Sequence, residues 1–416
     1  MTKRKATRRK PRRAAAPPLT GGTILLLLLI ALVVILMDRG MFDRWLLPAS
    51  TPPDAAIAPK GDVDRPGTRA QTDPTPPPPL AVETGALAGY ANGNVQVYFT
   101  RPRYPERAVT RTGGLDETLA AEIDRALRSV DIAVFDFDLP VITEALLRAH
   151  QRGLRVRLVV DAENLETPEV AALTGELQAA GIEIAFDRRD AFMHNKFVVV
   201  DGRVTWTGSW NMTINDTFRN DNNMLRFDDA RIAENYTRKF ELLLAGRGGP
   251  GNPAPLPSPD ITIGPARVVT LFSPDSDVTS RVVSVIEQAG TSIDLMAFTI
   301  TSDPIADALV AAHGRGVRVR GVVERRNGRA TGSELAKLQS AGVDVREDGN
   351  CYIMHNKSFV VDGQTVITGS FNWTRAAQQS NDENAVFVED PWLADRYADE
   401  FERVYDQALN PPRCSS

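Results

Sequence analysis

The chain is poor in the residues on which metal and disulfide proteins depend. Its 416 residues include only two cysteines, Cys351 and Cys414, and four histidines. That excludes a disulfide-dense scaffold and a Cys-rich zinc protein. Acidic charge is absent from one end: the first twenty residues hold eight Lys or Arg and no Asp or Glu. The rest therefore carries 40 basic against 53 acidic side chains. An acidic body argues against broad electrostatic adhesion to nucleic acid and leaves room for a local basic cleft. What is present is ordinary for a globular protein, with 43% apolar and 24% charged residues. The length exceeds one ordinary core and suits two domains, or one pseudo-symmetric pair, with extensions.

The basic tail, 1–20, precedes a nearly uniform apolar run at 21–37 that stops at Asp38 and Arg39. Seventeen helical residues reach about 25 Å, the short end of a membrane span. With the basic side cytoplasmic, the run reads as an uncleaved signal anchor that places the body outside. A cleaved signal peptide, and hence secretion, is the rival reading. Residues 38–89 follow as a disordered stalk, with ten prolines between 48 and 88. Such a segment buries too little apolar surface to fold, and its prolines hold it extended.

Two stretches organise the remainder. His194-Asn195-Lys196, Asp201 and Gly208-Ser209-Trp210-Asn211 are matched by His355-Asn356-Lys357, Asp362 and Gly369-Ser370-Phe371-Asn372. Every internal separation is the same, and the copies stand 161 residues apart. Around each copy, strand-like runs alternate with helix-like ones. Val95–Phe99, Ile132–Phe135, Leu154–Val160 and Ile182–Phe186 read as strands between helices at Leu115–Leu127, Ile142–Gln151 and Pro168–Ala179. Val268–Phe272, Ser292–Phe298, Val317–Val323 and Val343–Val345 repeat the order, with helices at Val278–Gln288, Ile305–Ala312 and Ser333–Ser340. Terminal helices are expected at 230–244 and 392–409. The pattern predicts an α/β fold of two similar halves, each a mixed sheet flanked by helices. They span 90–246 and 263–410, with a Pro/Gly linker at 247–262 and a short tail at 411–416.

Within each copy the spacing carries chemistry. Phe197–Val200 is a strand running into an Asp201-Gly202 hairpin turn, so His194 and Lys196 share one face. The returning strand brings Asn211 back towards them. His355, Lys357, Asp362 and Asn372 repeat this. His150 and His313 each end a helix before a Gly turn and read as bystanders. A metal is disfavoured, because each copy pairs one histidine with a lysine whose charge opposes a cation.

This pattern, His-x-Lys, four residues, Asp, six residues, Gly-Ser-x-Asn, resembles the phospholipase D superfamily over roughly residues 90–410. The resemblance implies one shared site without metal or other cofactor, in which one histidine attacks phosphorus and the other protonates the leaving oxygen. By it, His194 and His355 take the histidine roles, while Lys196, Lys357, Asn211 and Asn372 clamp the phosphate. Asp201, Ser209, Asp362 and Ser370 are expected to support them. Family members often carry a glutamate further on. The second copy has Glu383 there, and the first has Asn222. If Glu383 contacts the histidine of its own copy it raises that pKa, which makes His355 the acid and His194 the nucleophile. Asp221 is the candidate to compensate for Asn222.

The superfamily includes nucleases, phospholipases, phospholipid synthases and inactive members. Met354–Thr374 through Asn384 looks most like the bacterial endonuclease branch, which makes DNA or RNA the first expected substrate. Phospholipid cleavage or exchange is the alternative, and a non-catalytic binding scaffold comes third. Arg101, Arg103, Arg107, Arg111, Arg188, Arg189, Arg325, Arg326 and Arg329 would hold a nucleic-acid backbone if they converge on the cleft. The duplication lets a monomer function. Cys351 and Cys414 either pair in an oxidising exterior, pinning the tail beside the site, or remain free thiols.

Overall fold

The computed structural model describes residues 81–253 and 255–414. The basic tail, the apolar run at 21–37 and the stalk through residue 80 lie outside the described residues. Among the described residues no helix is long and apolar enough to cross a membrane.

The first half contains strands β1 (Ala81–Glu83), β2 (Leu87–Asn92), β3 (Val95–Thr100), β4 (Ser129–Val134), β5 (Arg155–Asp161), β6 (Glu183–Asp187), β7 (Lys196–Val200), β8 (Val204–Gly208) and β9 (Asn223–Asp228). They form one sheet in the order β1-β2-β3-β9-β8-β7-β4-β5-β6. Only β4, β5 and β6 run parallel, joined by the helices Pro140–Gln151 and Pro168–Ala179. Each of those helices opens on a proline, whose missing N–H costs nothing at a first turn. The second half contains β10 (Asp260–Ile263), β11 (Ala266–Ser273), β12 (Ser292–Ala297), β13 (Arg318–Val323), β14 (Asp344–Glu347), β15 (Lys357–Val361), β16 (Thr365–Gly369) and β17 (Glu383–Glu389). Its order, β10-β11-β17-β16-β15-β12-β13-β14, is that of the first sheet without β1.

Two expected boundaries move. Residues 81–89 are not stalk: they build β1 and the start of β2, an antiparallel pair at the sheet edge. Likewise β10 begins at Asp260, inside the expected linker. In both places one face of a short strand is apolar and buried, Leu87 in the layer between the first sheet and its helices, Ile261 and Ile263 in the layer between the halves, which overrides the surrounding proline signal.

Three apolar layers follow from the alternation of side chains along the strands. The outer layers sit between each sheet and its own helices, around Ile132, Leu146 and Leu158 in one half and Leu295, Leu309 and Val323 in the other. The middle layer is shared. Phe99, Phe197, Tyr236 and Phe240 from the first half pack with Phe272, Val360, Val386 and Tyr397 from the second. The long helices Ala230–Leu244 and Pro391–Leu409 contribute to this shared layer, which fixes the halves against each other.

Candidate active site

Backbone hydrogen bonds crossing between the halves build the site. His194 N–H donates to Asp382 O at 2.9 Å, and Asp382 N–H donates to Phe192 O at 2.8 Å. Its counterpart is formed by His355 N–H to Asp221 O and Asp221 N–H to Ile353 O, both 2.9 Å. The residues just before β7 thus pair with those before β17, and the residues before β15 with those before β9. Each histidine is 7% exposed, so both lie at the bottom of the same seam.

The crossing decides which side chain supports which histidine. Glu383 Oε2 accepts from His194 Nδ1 at 2.8 Å. Asn222 Oδ1 accepts from His355 Nδ1 at 2.9 Å. The expectation that Glu383 serves the histidine of its own copy is therefore corrected: Asp382, the residue before it, is hydrogen-bonded to the His194 backbone across the halves, which sets Glu383 beside the His194 ring. Asp221 does not reach His355 as a compensating carboxylate. It is buried in an ion pair with Arg403 and accepts from Asn350 Nδ2 at 2.6 Å. Its counterpart Asp382 is likewise buried against Lys239 and Arg189. With each Nδ1 engaged, Nε2 is the ring nitrogen left for chemistry.

Lys196 Nζ donates to His194 O and lies 5.3 Å from the Phe135 ring centroid; Lys357 Nζ donates to His355 O and lies 4.8 Å from that of Phe298. Phe135 and Phe298 also pack edge-on against His194 and His355, with centroids 5.0 and 4.6 Å apart. Asn211 Oδ1, Asn372 Oδ1 and Glu383 Oε1 are buried without a protein partner. On motif residues, buried polar atoms without a protein partner are open to a ligand.

The other expected support residues act at a distance from the reacting atoms. Asp201 sits at φ 57° and its carboxylate accepts from the N–H groups of Leu127, Arg128 and Ser129, which ties down the hairpin turn. Asp362 at φ 53° does the same through Gly290, Thr291 and Ser292. Ser209 Oγ donates to Asn222 Oδ1 at 2.8 Å and accepts from Asn223 N–H, while Ser370 Oγ accepts from Asn384 N–H at 2.9 Å. The two serines hold the strand starts that present Asn222 and Glu383.

Several site residues escaped the sequence reading. Asn195 Oδ1 accepts from Asn384 Nδ2 at 3.0 Å, and Asn356 Oδ1 from Asn223 Nδ2 at 2.7 Å, a buried amide belt across the pseudo-dyad. Their identity in both copies was a usable signal, as was the recurrence of Phe135 at Phe298. Asp216, whose Oδ2 lies 3.3 Å from His355 Nδ1, left no such trace because Ala377 stands at the matching position.

Burial pushes both histidines down to about 4, against the opposing pull of Glu383 on His194 and of Asp216 on His355. Burial also lowers Lys196 to about 8 and, reinforced by the charge of Lys196, lowers Lys357 well below its ordinary value. The two imidazoles are thus equally neutral at pH 7, and the separation expected between nucleophile and acid must come with the substrate. A phosphodiester anion placed between them favours a proton on whichever ring gains it more easily.

The arginines expected to line a basic cleft are mostly consumed. Arg101 pairs with Glu400 at 2.5 Å and Arg111 with Glu106 at 2.7 Å. Arg189 pairs with Asp187 and Asp382, Arg329 with Glu347, and Arg325 donates to Asp348 O. They hold loops together and lend little net charge to a phosphate track. The two cysteines are joined, Cys351 to Cys414, four residues before His355.

Comparison with known proteins agrees with this geometry. A family profile described as "Cardiolipin synthase, PLD-like domain" matches residues 119–244 and 282–405, one match per half. Over 156 residues the chain is 37% identical to the mitochondrial cardiolipin hydrolase of Xenopus tropicalis, covering 37% of this chain and 74% of that protein. A phospholipase D of Rickettsia conorii is 39% identical over 132 residues, 32% of this chain and 66% of that one. The chain spans 57% of the Chlamydomonas reinhardtii protein named mitochondrial cardiolipin hydrolase. The solved phosphatidylserine synthase of Haemophilus influenzae shares the fold at 14% identity, with a TM-score of 0.55 over 70% of this chain and 84% of that chain. Two family matches in one chain, one in each half, show that it belongs to the phospholipase D superfamily.

Proposed function

We propose that this chain cleaves single-stranded nucleic acid without a metal, through a phosphohistidine on His194, and that its catalytic body works outside the cytoplasm. The observation that carries the chemistry is the 2.8 Å contact of Glu383 with His194 Nδ1. A carboxylate there fixes the proton on Nδ1, leaves Nε2 with its lone pair, and stabilises the cation that forms when Nε2 bonds to phosphorus.

In the first step His194 Nε2 attacks phosphorus, the P–O bond to the leaving group breaks, and the His355 Nε2 proton passes to the departing oxygen. In the second step neutral His355 takes a proton from water, the hydroxide oxygen bonds to phosphorus, and the N–P bond breaks. Lys196 and Lys357 neutralise the phosphoryl oxygens, with the Asn211 and Asn372 amides as hydrogen-bonding partners, the task a divalent cation performs elsewhere.

Nucleic acid is favoured by the aromatic approach. Phe192 is 37% exposed, its ring 5.2 Å from Phe135 and 6.5 Å from His194. An exposed phenylalanine beside a phosphate site gives an unpaired base a surface to stack on. The depth of the histidines favours a flexible strand over a stiff duplex. The second reading, phospholipid headgroup cleavage, is favoured by the relatives named cardiolipin hydrolase and phospholipase D. Extracytoplasmic placement is supported by the Cys351–Cys414 disulfide, a bond that persists in oxidising compartments.

The test is an assay of the full chain in EDTA against single-stranded DNA, duplex DNA, RNA and cardiolipin-containing vesicles. Cleavage of single strands that survives chelation and is lost in Phe192→Ala supports the proposal. Lipid turnover with no nucleic-acid cleavage replaces it with the second reading.

A further inference from the structure

The two copies differ at two matched positions that meet at one histidine. Where the second copy has Glu383, the first has Asn222; where the second has Ala377, the first has Asp216. Considered singly, the first difference is the loss of a carboxylate and the second is the burial of one. Asp216 is 3% exposed, a costly place for a charge unless something nearby needs it.

We infer that Asp216 is the carboxylate partner of His355, so that the first half has moved its carboxylate from one strand start to the preceding short helix. This rests on the phosphodiesterase reading of the site. Three contacts aim the group. Asp216 Oδ2 accepts from Asn211 N–H at 2.8 Å, Oδ1 accepts from Asn220 Nδ2 at 2.7 Å, and the Asp216 N–H is capped by Thr213 Oγ1 at 3.1 Å. Oδ2 then lies 3.3 Å from His355 Nδ1, beside the 2.9 Å bond from that nitrogen to Asn222 Oδ1. Asn222 fixes which nitrogen carries the proton, and Asp216 supplies the charge. Burial works against an ionised Asp216, yet His355, Asn220 and the Asn211 N–H outweigh it and hold the carboxyl below its usual range.

The charged groups bearing on His355 are Lys357 and Lys196 on one side and Asp216 on the other. Without Asp216 the ring would lose the carboxylate that acts on it most strongly and would hold a proton less readily against Lys357 and Lys196. With it, the seam contains two lysines balanced by two carboxylates, Glu383 and Asp216. The two supports remain unequal. His194 has a carboxylate in direct hydrogen-bond contact, which suits a ring that becomes a covalent cation. His355 has a neutral acceptor in contact and a carboxylate slightly further away, which suits a ring that gains and gives up a proton. Asp216 acts through His355 and is a positioning residue.

The experiment uses the full chain in detergent, with ¹³C-labelled histidine rings followed by NMR from pH 8 to 3.5, His355 being assigned by its loss in His355→Asn. In Asp216→Asn, an isosteric change, the His355 pKa is expected to fall by about one unit or more, leaving the ring neutral at a pH where wild type is about half charged. Cleavage of a single-stranded DNA oligonucleotide, whose leaving oxygen is an alkoxide that needs a proton, is followed alongside. Asp216→Ala is expected to lose at least about tenfold in rate, and the double variant Asp216→Ala/Asn222→Glu, which rebuilds the arrangement of the second copy, to regain it. An unmoved His355 titration in Asp216→Asn overturns the inference. So does a folded double variant no faster than Asp216→Ala. Should wild type cleave no phosphodiester, the phosphodiesterase reading fails while the titration still decides the role of Asp216.

Discussion

Glu383 and His194, 189 residues apart and in opposite halves, share a 2.8 Å hydrogen bond across the seam between those halves. The bond makes each half incomplete without the other. It predicts that Glu383→Gln, which keeps the shape and removes the charge, lowers kcat by about 10²- to 10⁴-fold, as when the carboxylate behind a catalytic histidine is neutralised. Substrate KM should change far less, because the Glu383 carboxylate acts through the His194 ring. Steady-state kinetics on purified full-length protein with an unchanged circular dichroism spectrum would check this.

The role given to His355 predicts sensitivity to the leaving group. A general acid matters when the departing oxygen is a strong base and hardly at all for 4-nitrophenolate. His355→Asn should therefore lose about 10²- to 10⁴-fold on an alkyl phosphodiester and much less on bis(4-nitrophenyl) phosphate. His194→Asn should abolish both. Equal losses on the two esters in His355→Asn would remove it from the acid role.

Both histidines are held at about 4 by burial, below the ordinary 6.5. Between those values the unfolded chain binds more protons than the folded one, so stability rises with pH. The contribution is fully present above about pH 6.5 and is lost as the pH falls towards 4. Urea denaturation at pH 7 and pH 5 should show wild type losing more stability on acidification than His194→Asn/His355→Asn. A double variant as acid-sensitive as wild type would contradict the buried neutral imidazoles.

Much of this was legible in the sequence. The two copies with equal spacing announced two similar halves, and the helices at 168–179, 230–244 and 278–288 span the residues expected of them. The strands β9 and β17 were not read as strands, since they follow directly on polar motif residues that drew attention to chemistry. The partnership of Glu383 with His194 was misassigned for a related reason. Motif spacing reports what lies near in sequence, and here the contact is made by an inter-half backbone ladder that no local pattern encodes. The arginines misled similarly, because a list of basic residues does not show that Glu106, Glu347 and Glu400 already answer them. Asp216 was hidden because repeat comparison highlights identities, and its meaning lies in a paired difference.

The account turns on which histidine becomes covalently bonded to phosphorus. The direct measurement is mass spectrometry of the full chain quenched in alkali during turnover of a phosphodiester, followed by proteolysis to locate the phosphoryl group. The structure predicts an adduct on His194, the ring backed by Glu383, and none on His355. An adduct on His355 would reverse the assigned roles and contradict the account.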